Sequence, residues 1–232
     1  MKITKIWATT FILATNLPFE IHAEDSKFYV GAGIGNSSVS FNSNDFGTQE
    51  PNADRKSATK DTIYKIFAGY DFNKIFGVEY GYADQGAFNF RVNPNQGYYT
   101  GDVFAFKYRA DSLFIDSKVS AMISEKFNIF GKVGLDLNRV QNTSSLDSSH
   151  HIEPPLLPGT VIGNYANSSV FSTQGGNTSY RVNRLFGAGT EVKATAHTAV
   201  RLEFEDYGEF GNQNTTGRAR ISNYTLSFVY SP

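Results

Sequence analysis

The chain has 232 residues, a size that fits one domain of the β-barrel class. Its formal net charge is −1, so neither a nucleic-acid partner nor a basic membrane-surface patch is indicated. The sequence contains no cysteine, which excludes disulfides, thiol catalysis and zinc–thiolate sites. Aromatic residues make up 15% of the chain, and this favours strands over helices.

The first 23 residues have the pattern of a secretory signal peptide. Lys2 and Lys5 give a positive start, residues 6–14 form a short apolar core, and Ala23 is a small residue at the expected cleavage point. An apolar run of about nine residues is too short to cross a bilayer as a helix. We predict a signal peptide over residues 1–23 and one domain over residues 24–232, with a buried first helix as the alternative for the leader.

Eight segments of the remaining chain alternate apolar and polar residues with a period of two, which indicates half-buried β-strands. The alternation is clearest from Val200 to Phe204, where Arg201 and Glu203 separate the apolar residues. The predicted strands are, in chain order, 28–38, 62–72, 76–83, 108–123, 127–138, 180–192, 198–207 and 219–230.

Short and long connections alternate strictly between these strands. The short ones are 73–74, 124–126 and 193–197, and the long ones are about 40–61, 84–107, 141–179 and 208–218. In an up-and-down barrel this order places all short turns at one rim and all long loops at the other, as in outer-membrane barrels. The predicted fold is therefore all-β, an eight-stranded antiparallel up-and-down transmembrane β-barrel.

The two faces of the strands differ in a way that indicates which one lines the barrel. Glycines share the polar face with ions of both signs, and an eight-stranded barrel has a narrow interior that suits small residues and paired charges. The charged residues of this face are Asp71, Glu79, Asp136, Glu191 and Glu203 with Lys65, Lys118, Lys132 and Arg201. On the opposite, predicted lipid-facing side are Val78, Tyr80, Val133, Leu135, Val200, Leu202, Phe204, Leu226 and Phe228.

Several of these segments resemble the transmembrane domain of outer-membrane protein A (OmpA). Residues 67–82, with Phe-Ala-Gly-Tyr-Asp-Phe-Asn-Lys-Ile-Phe-Gly-Val-Glu-Tyr-Gly-Tyr, resemble its second and third strands. Residues 118–134 resemble its fourth and fifth strands, and residues 186–192 and 199–204 its sixth and seventh. Small eight-stranded surface barrels, including opacity-type adhesins, are similar to the chain to about the same degree.

The resemblance implies a lumen blocked by a charge cluster. Its members here would be Glu79, Lys118, Lys132, Glu191 and Arg201, with Glu203 on the same face. These ions would either satisfy one another and hold the sheet together, or exchange partners to let ions through.

The resemblance also implies a non-enzymatic protein of a Gram-negative-type outer membrane, without a cofactor or a metal site. Its roles would be in envelope structure, in adhesion to a host surface or another protein through the loops, or as a small gated pore. Its partners would be outer-membrane lipid and, during insertion, the barrel-assembly machinery.

Some features fit this scheme less well, and two other functions stay open. Arg184 would lie on the lipid face of strand six, and the chain ends with Pro232 where the family usually ends on an aromatic residue. A secreted soluble barrel that binds a hydrophobic ligand is one alternative. A lipid-modifying outer-membrane enzyme is the other, with His150 and His151 as its weak candidate residues.

Overall fold

The computed structural model describes residues 28–42, 54–93, 103–147 and 175–232. The strands within these ranges are β1 (Phe28–Phe41), β2 (Asp54–Ala58), β3 (Lys60–Asp71), β4 (Phe76–Asn93), β5 (Val103–Met122), β6 (Phe127–Asp147), β7 (Gly175–Lys193), β8 (Thr198–Asn212) and β9 (Gly217–Tyr230). The predicted signal peptide lies outside the described residues, as do His150 and His151. In the described part of the chain no helix is long and apolar enough to span a membrane.

The sheet closes on itself. β2 and β3 both pair with β4 and are separated only at Thr59, so they count as one barrel strand. β4 also pairs with β5, and the antiparallel order continues to β9, which returns to β1 with Val30 opposite Tyr230. Closure gives every barrel strand a paired neighbour on both sides, as the interior of a bilayer demands, although the β7–β8 ladder ends at Phe186 and Asp206. The predicted eight-stranded antiparallel barrel is confirmed.

The three short connections are four-residue turns at one rim, residues 72–75, 123–126 and 194–197. Each is closed by a backbone hydrogen bond, such as Ile123 N to Phe127 O at 3.0 Å and Ala194 N to Thr198 O at 2.9 Å.

At the opposite rim the strands run further than the alternation predicts. β4 continues to Asn93, and β8 and β9 are joined by residues 213–216 alone. The expected long loop 208–218 is therefore wrong, and the expected start of a loop at residue 84 is wrong as well. The expected bounds 40–61 and 141–179 are also wrong, because β2 and the start of β3 lie in the first range and the end of β6 and the start of β7 lie in the second. The errors at 84 and 208 fall on β-bulges, between Asp84 and Gly86 and between Asp206 and Gly208.

The bulges explain why the sequence pattern stops there. Gly86 and Gly208 have φ values of 91° and 74°, a conformation that glycine adopts without a steric penalty. A bulge inserts one extra residue into a strand and so moves the alternation by one position. In β4 the buried residues change from Ala83 and Gln85 to Phe88 and Phe90 across the bulge.

Candidate functional site in the lumen

Glu79 of β4 is fully buried at the centre of a charge network inside the barrel. Its Oε1 accepts hydrogen bonds from Tyr29 Oη at 2.6 Å and from Arg201 Nη1 at 2.7 Å. Its Oε2 accepts one from Lys132 Nζ, and Lys118 Nζ lies 3.9 Å from Oε1. One carboxylate thus contacts groups from β1, β5, β6 and β8, which lie on different sides of the lumen.

Two further carboxylates on β8 complete the network. Lys65 Nζ lies 3.1 Å from Glu203 Oε2 and 2.6 Å from Glu205 Oε1. Lys132 Nζ lies 2.5 Å from Glu203 Oε1, so this lysine joins Glu203 to Glu79. We call six buried ions of this network the ionic plug: Lys65, Glu79, Lys132, Arg201, Glu203 and Glu205.

The side of the plug that faces the short turns is less buried. Arg201 Nη2 lies 2.7 Å from Glu191, and Lys118 Nζ lies 2.9 Å from Asp71. The side chains of Glu191 and Asp71 are 15% and 38% exposed, in contrast to the plug carboxylates. Both line a vestibule of about 670 Å³ that opens at the turns and is bounded by Tyr29. Water therefore has access to the base of the plug.

Aromatic rings surround the plug cations. The guanidinium of Arg201 lies 5.0 Å from the ring centre of Phe67 and 4.9 Å from that of Phe130. Lys65 Nζ lies 5.1 Å from the ring centres of both Phe67 and Phe114. Such cation–π contacts contribute about 2 kcal/mol or more when desolvated.

The inward glycines provide the space for these rings. A Cβ on Gly81 would lie 2.6 Å from Phe114 Cζ, and a Cβ on Gly189 would lie 2.5 Å from Phe130 Cζ. A Cβ on Gly31 would overlap the ring of Phe67 and one on Gly69 the ring of Tyr29. Glycine at these four positions therefore makes room for aromatic rings in a narrow lumen.

The structure brings all six predicted cluster residues into one connected set of contacts. Glu79, Lys132, Arg201 and Glu203 belong to the plug, and Lys118 and Glu191 extend it towards the vestibule. Asp136, expected on the same face, is buried apart from them, and its Oδ2 accepts a hydrogen bond from Asn138 at 3.2 Å.

Sequence reasoning omitted three participants, Tyr29, Lys65 and Glu205, from the cluster. Glu205 follows Arg201 and Glu203 in the same alternation, so the period of two already placed it on the inward face. The pairing of Lys65 with β8 crosses the lumen between strands that are not neighbours. No sequence pattern reports such a contact.

The opposite face of the strands carries the predicted lipid-facing residues. Tyr80, Val133, Leu135, Val200, Leu202, Phe204, Leu226 and Phe228 have exposed fractions between 38% and 56%, and Val78 is half-buried. A soluble barrel would bury this face in its interior. Exposed apolar side chains around a closed sheet with a charged interior define the class of small membrane-spanning β-barrels.

The family model of the OmpA-like transmembrane domain matches residues 23–232, and the chain belongs to this family. The resemblance inferred from residues 67–82, 118–134, 186–192 and 199–204 is confirmed. The protein is thus an outer-membrane barrel of Gram-negative-type bacteria, and the alternative of a secreted soluble barrel is wrong.

Solved structures with a similar fold are outer-membrane barrels of low sequence identity. Ail of Yersinia pestis is 13% identical, with 88% of this chain and 96% of Ail covered and a TM-score of 0.42. OprG of Pseudomonas aeruginosa is 14% identical, with 88% and 94% covered and a TM-score of 0.44. Neisserial surface protein A is 15% identical, with 89% and 98% covered and a TM-score of 0.45. No curated protein matches the chain.

Proposed function

We propose that this protein is a non-enzymatic structural barrel that contributes to envelope structure and whose lumen is closed by the ionic plug. The contacts of Glu79 with Tyr29, Lys132 and Arg201 carry the proposal. They connect distant strands across the lumen, so the plug resists both the passage of solutes and the separation of strands. Each carboxylate of the plug has a cation as its partner, an arrangement suited to packing rather than to proton transfer.

The experiment is an unfolding series in urea on the refolded protein, followed by heat-modifiable migration on gels. Removing one partner of a buried ion pair costs about 3–5 kcal/mol, because the other charge stays buried and unpaired. Glu79→Gln should therefore lower the unfolding free energy by several kcal/mol. Glu125→Gln, an exposed turn residue, is the control and should unfold like the wild type. If Glu79→Gln unfolded at the same urea concentration as the wild type, the result would contradict the proposal.

A small gated pore is the second candidate function, and the alternative contacts of Arg201 favour it. Arg201 Nη1 lies 2.7 Å from Glu79 and 3.7 Å from Glu203, so a small movement exchanges one carboxylate for the other. Single-channel recording in planar bilayers tests this role. Glu79→Gln should increase the open probability over that of the wild type. Recordings without channel openings from both proteins would contradict the pore function.

Adhesion through the loops is a third candidate role, and the barrel-assembly machinery is the expected partner during insertion. The apolar segment 154–158 of the longest connection is the candidate contact for a host surface or another protein, and it lies outside the described residues. Replacing it with a Gly–Ser segment should reduce binding of expressing cells to host cells while heat-modifiable migration is preserved. Equal binding by both forms would reject adhesion through this segment.

A further inference from the structure

Charged residues mark the upper edge of the apolar wall of the barrel. Arg109 lies 3.1 Å from Asp84 and Arg139 lies 2.7 Å from Asp111, and Arg220 pairs with Asp206. All six continue the outward-facing alternation of their strands beyond its apolar residues. We call them the outer charged girdle. Each arginine of the girdle thus has a carboxylate partner, which limits the cost of a charge next to lipid.

Arg184 of β7 also faces outward near this level but has no ion-pair partner within the described ranges. It lies between Val182 and Phe186, which are 61% and 52% exposed, and its cross-strand neighbour is Leu135. Arg184 is nine residues from Lys193, the turn end of β7. With about 3.3 Å per residue and a tilt near 40°, it lies about 23 Å above the turns, close to the top of an apolar band about 25 Å tall.

A break in the sheet forms a groove beside Arg184. The β7–β8 ladder runs from Lys193 and Ala199 to Phe186 and Asp206 and stops at the bulge. Beyond it, Asn183 Nδ2 donates to Tyr207 O at 3.2 Å and to Glu209 O at 2.6 Å, in place of a backbone ladder. The groove has a volume of about 570 Å³. Its lining includes Leu135, Val182, Arg184, Phe186, Asp206 and Arg220.

We propose that this β7–β8 groove binds an outer-leaflet lipid through a phosphate group. Arg184 and Arg220 would hold the phosphate, and an acyl chain would lie along Leu135 and Phe186. The two arginines exceed the one carboxylate between them, Asp206, by one positive charge. Glu209, the other carboxylate at the groove, is engaged by Arg181 Nη1 at 2.6 Å.

The chemistry of the groove favours a lipid phosphate over free phosphate. A guanidinium forms bidentate hydrogen bonds with phosphate oxygens and keeps its charge at all relevant pH values. The side chain of Arg220 is 68% exposed even while it contacts Asp206, so it retains donors for a second partner. Phe186, two residues nearer the turns than Arg184, and Leu135, its cross-strand neighbour, provide an apolar surface for a chain, which inorganic phosphate does not need.

Binding of lipid A, a phosphorylated glycolipid, to the refolded full barrel in detergent tests the proposal. The measurement is the fraction of protein that carries lipid A by native mass spectrometry across a titration. Arg184→Gln should weaken binding at least tenfold, and Arg184→Lys should retain part of it. Arg109→Gln is the matched control, because it removes an outward arginine of the girdle that does not line the groove and should bind like the wild type. Heat-modifiable migration establishes that each variant is folded.

Four results would overturn the proposal. Equal affinity of Arg184→Gln and the wild type would remove Arg184 from the site. An equal loss in Arg109→Gln would indicate unspecific attraction to a positive rim. Inhibition of lipid A binding by millimolar inorganic phosphate would show a site for free phosphate. Dephosphorylated lipid A should bind at least tenfold more weakly than lipid A, and equal binding would likewise reject recognition of the phosphate. None of these outcomes depends on the function of the plug.

Discussion

At the scale of single residues, the plug shows how buried charges are kept in a narrow lumen. Glu79 is shared by a phenol, a guanidinium and an ammonium group, so its two oxygens are both satisfied. Charges without partners would be very costly to bury, whereas a connected network offsets much of the desolvation. The rings of Phe67 and Phe130 then cover the faces of Arg201 that carry no hydrogen bond.

Gly69 tests whether ring packing supports the plug. In Gly69→Ala the new Cβ would overlap the ring of Tyr29 and displace the hydroxyl that donates to Glu79. Overpacking of this kind costs about 1–3 kcal/mol, and we expect a loss in this range in urea unfolding. Gly131→Ala is the control, since its Cβ would meet nothing closer than Gly187 O at 3.9 Å. Equal urea midpoints of unfolding for the two variants would contradict the claim that ring packing at Gly69 supports the plug.

The plug itself could be predicted only in part. The period of two identified Glu79, Lys132, Arg201 and Glu203 as residues of one face, and the family resemblance suggested that they meet. The partners of Lys65 could not be predicted, because the stagger of the strands decides which residues of β3 and β8 face each other across the lumen. Tyr29 shares the two-residue period of Gly31 and Gly33 and so belongs to the polar face, but its hydrogen bond to Glu79 is a contact between strands that are not neighbours.

At the scale of strands, hydrophobic alternation located all eight barrel strands but not their full lengths, and in β4 and β8 the predicted strand stops at a bulge. Gly208 ends the regular pattern of β8, yet the strand continues to Asn212 and pairs with β9. The same bulge ends the β7–β8 ladder, and side chains take over the role of backbone hydrogen bonds. In its outer half, the contact between β7 and β8 is therefore held by a few side-chain hydrogen bonds.

Asn183→Ala should loosen that outer half selectively. The change leaves the carbonyl groups of Tyr207 and Glu209 without this donor, at a cost of about 1–3 kcal/mol if they stay buried. Hydrogen exchange should become faster in residues 207–212 and stay unchanged in residues 199–206.

The control for this experiment is Arg181→Ala, which removes an exposed ion pair with Glu209. Exposed pairs contribute about 0–1 kcal/mol, so exchange in both parts of β8 should resemble the wild type. If Asn183→Ala and Arg181→Ala gave the same pattern of hydrogen-exchange protection, the hydrogen bonds of Asn183 would have no special role where the β7–β8 ladder ends.

At the scale of the whole molecule, the barrel is inverted relative to a soluble protein. Its apolar side chains cover the outside, and its charges fill the inside. Closure of the sheet through β1 and β9 makes this arrangement stable in a bilayer, because no strand is left as an open edge of the sheet. The plug, the girdle and the β7–β8 groove all follow from this assignment of faces.

The most direct measurement uses single tryptophans and bromine-labelled lipids. The sole tryptophan of the sequence is Trp7, within the predicted signal peptide, so a protein produced from residue 24 onwards has no tryptophan background. Leu202→Trp and Leu226→Trp should be strongly quenched in bilayers of brominated lipid, whereas Phe67→Trp should fluoresce as in unbrominated lipid. Quenching of the tryptophan at position 67 without quenching at positions 202 and 226 would contradict the account.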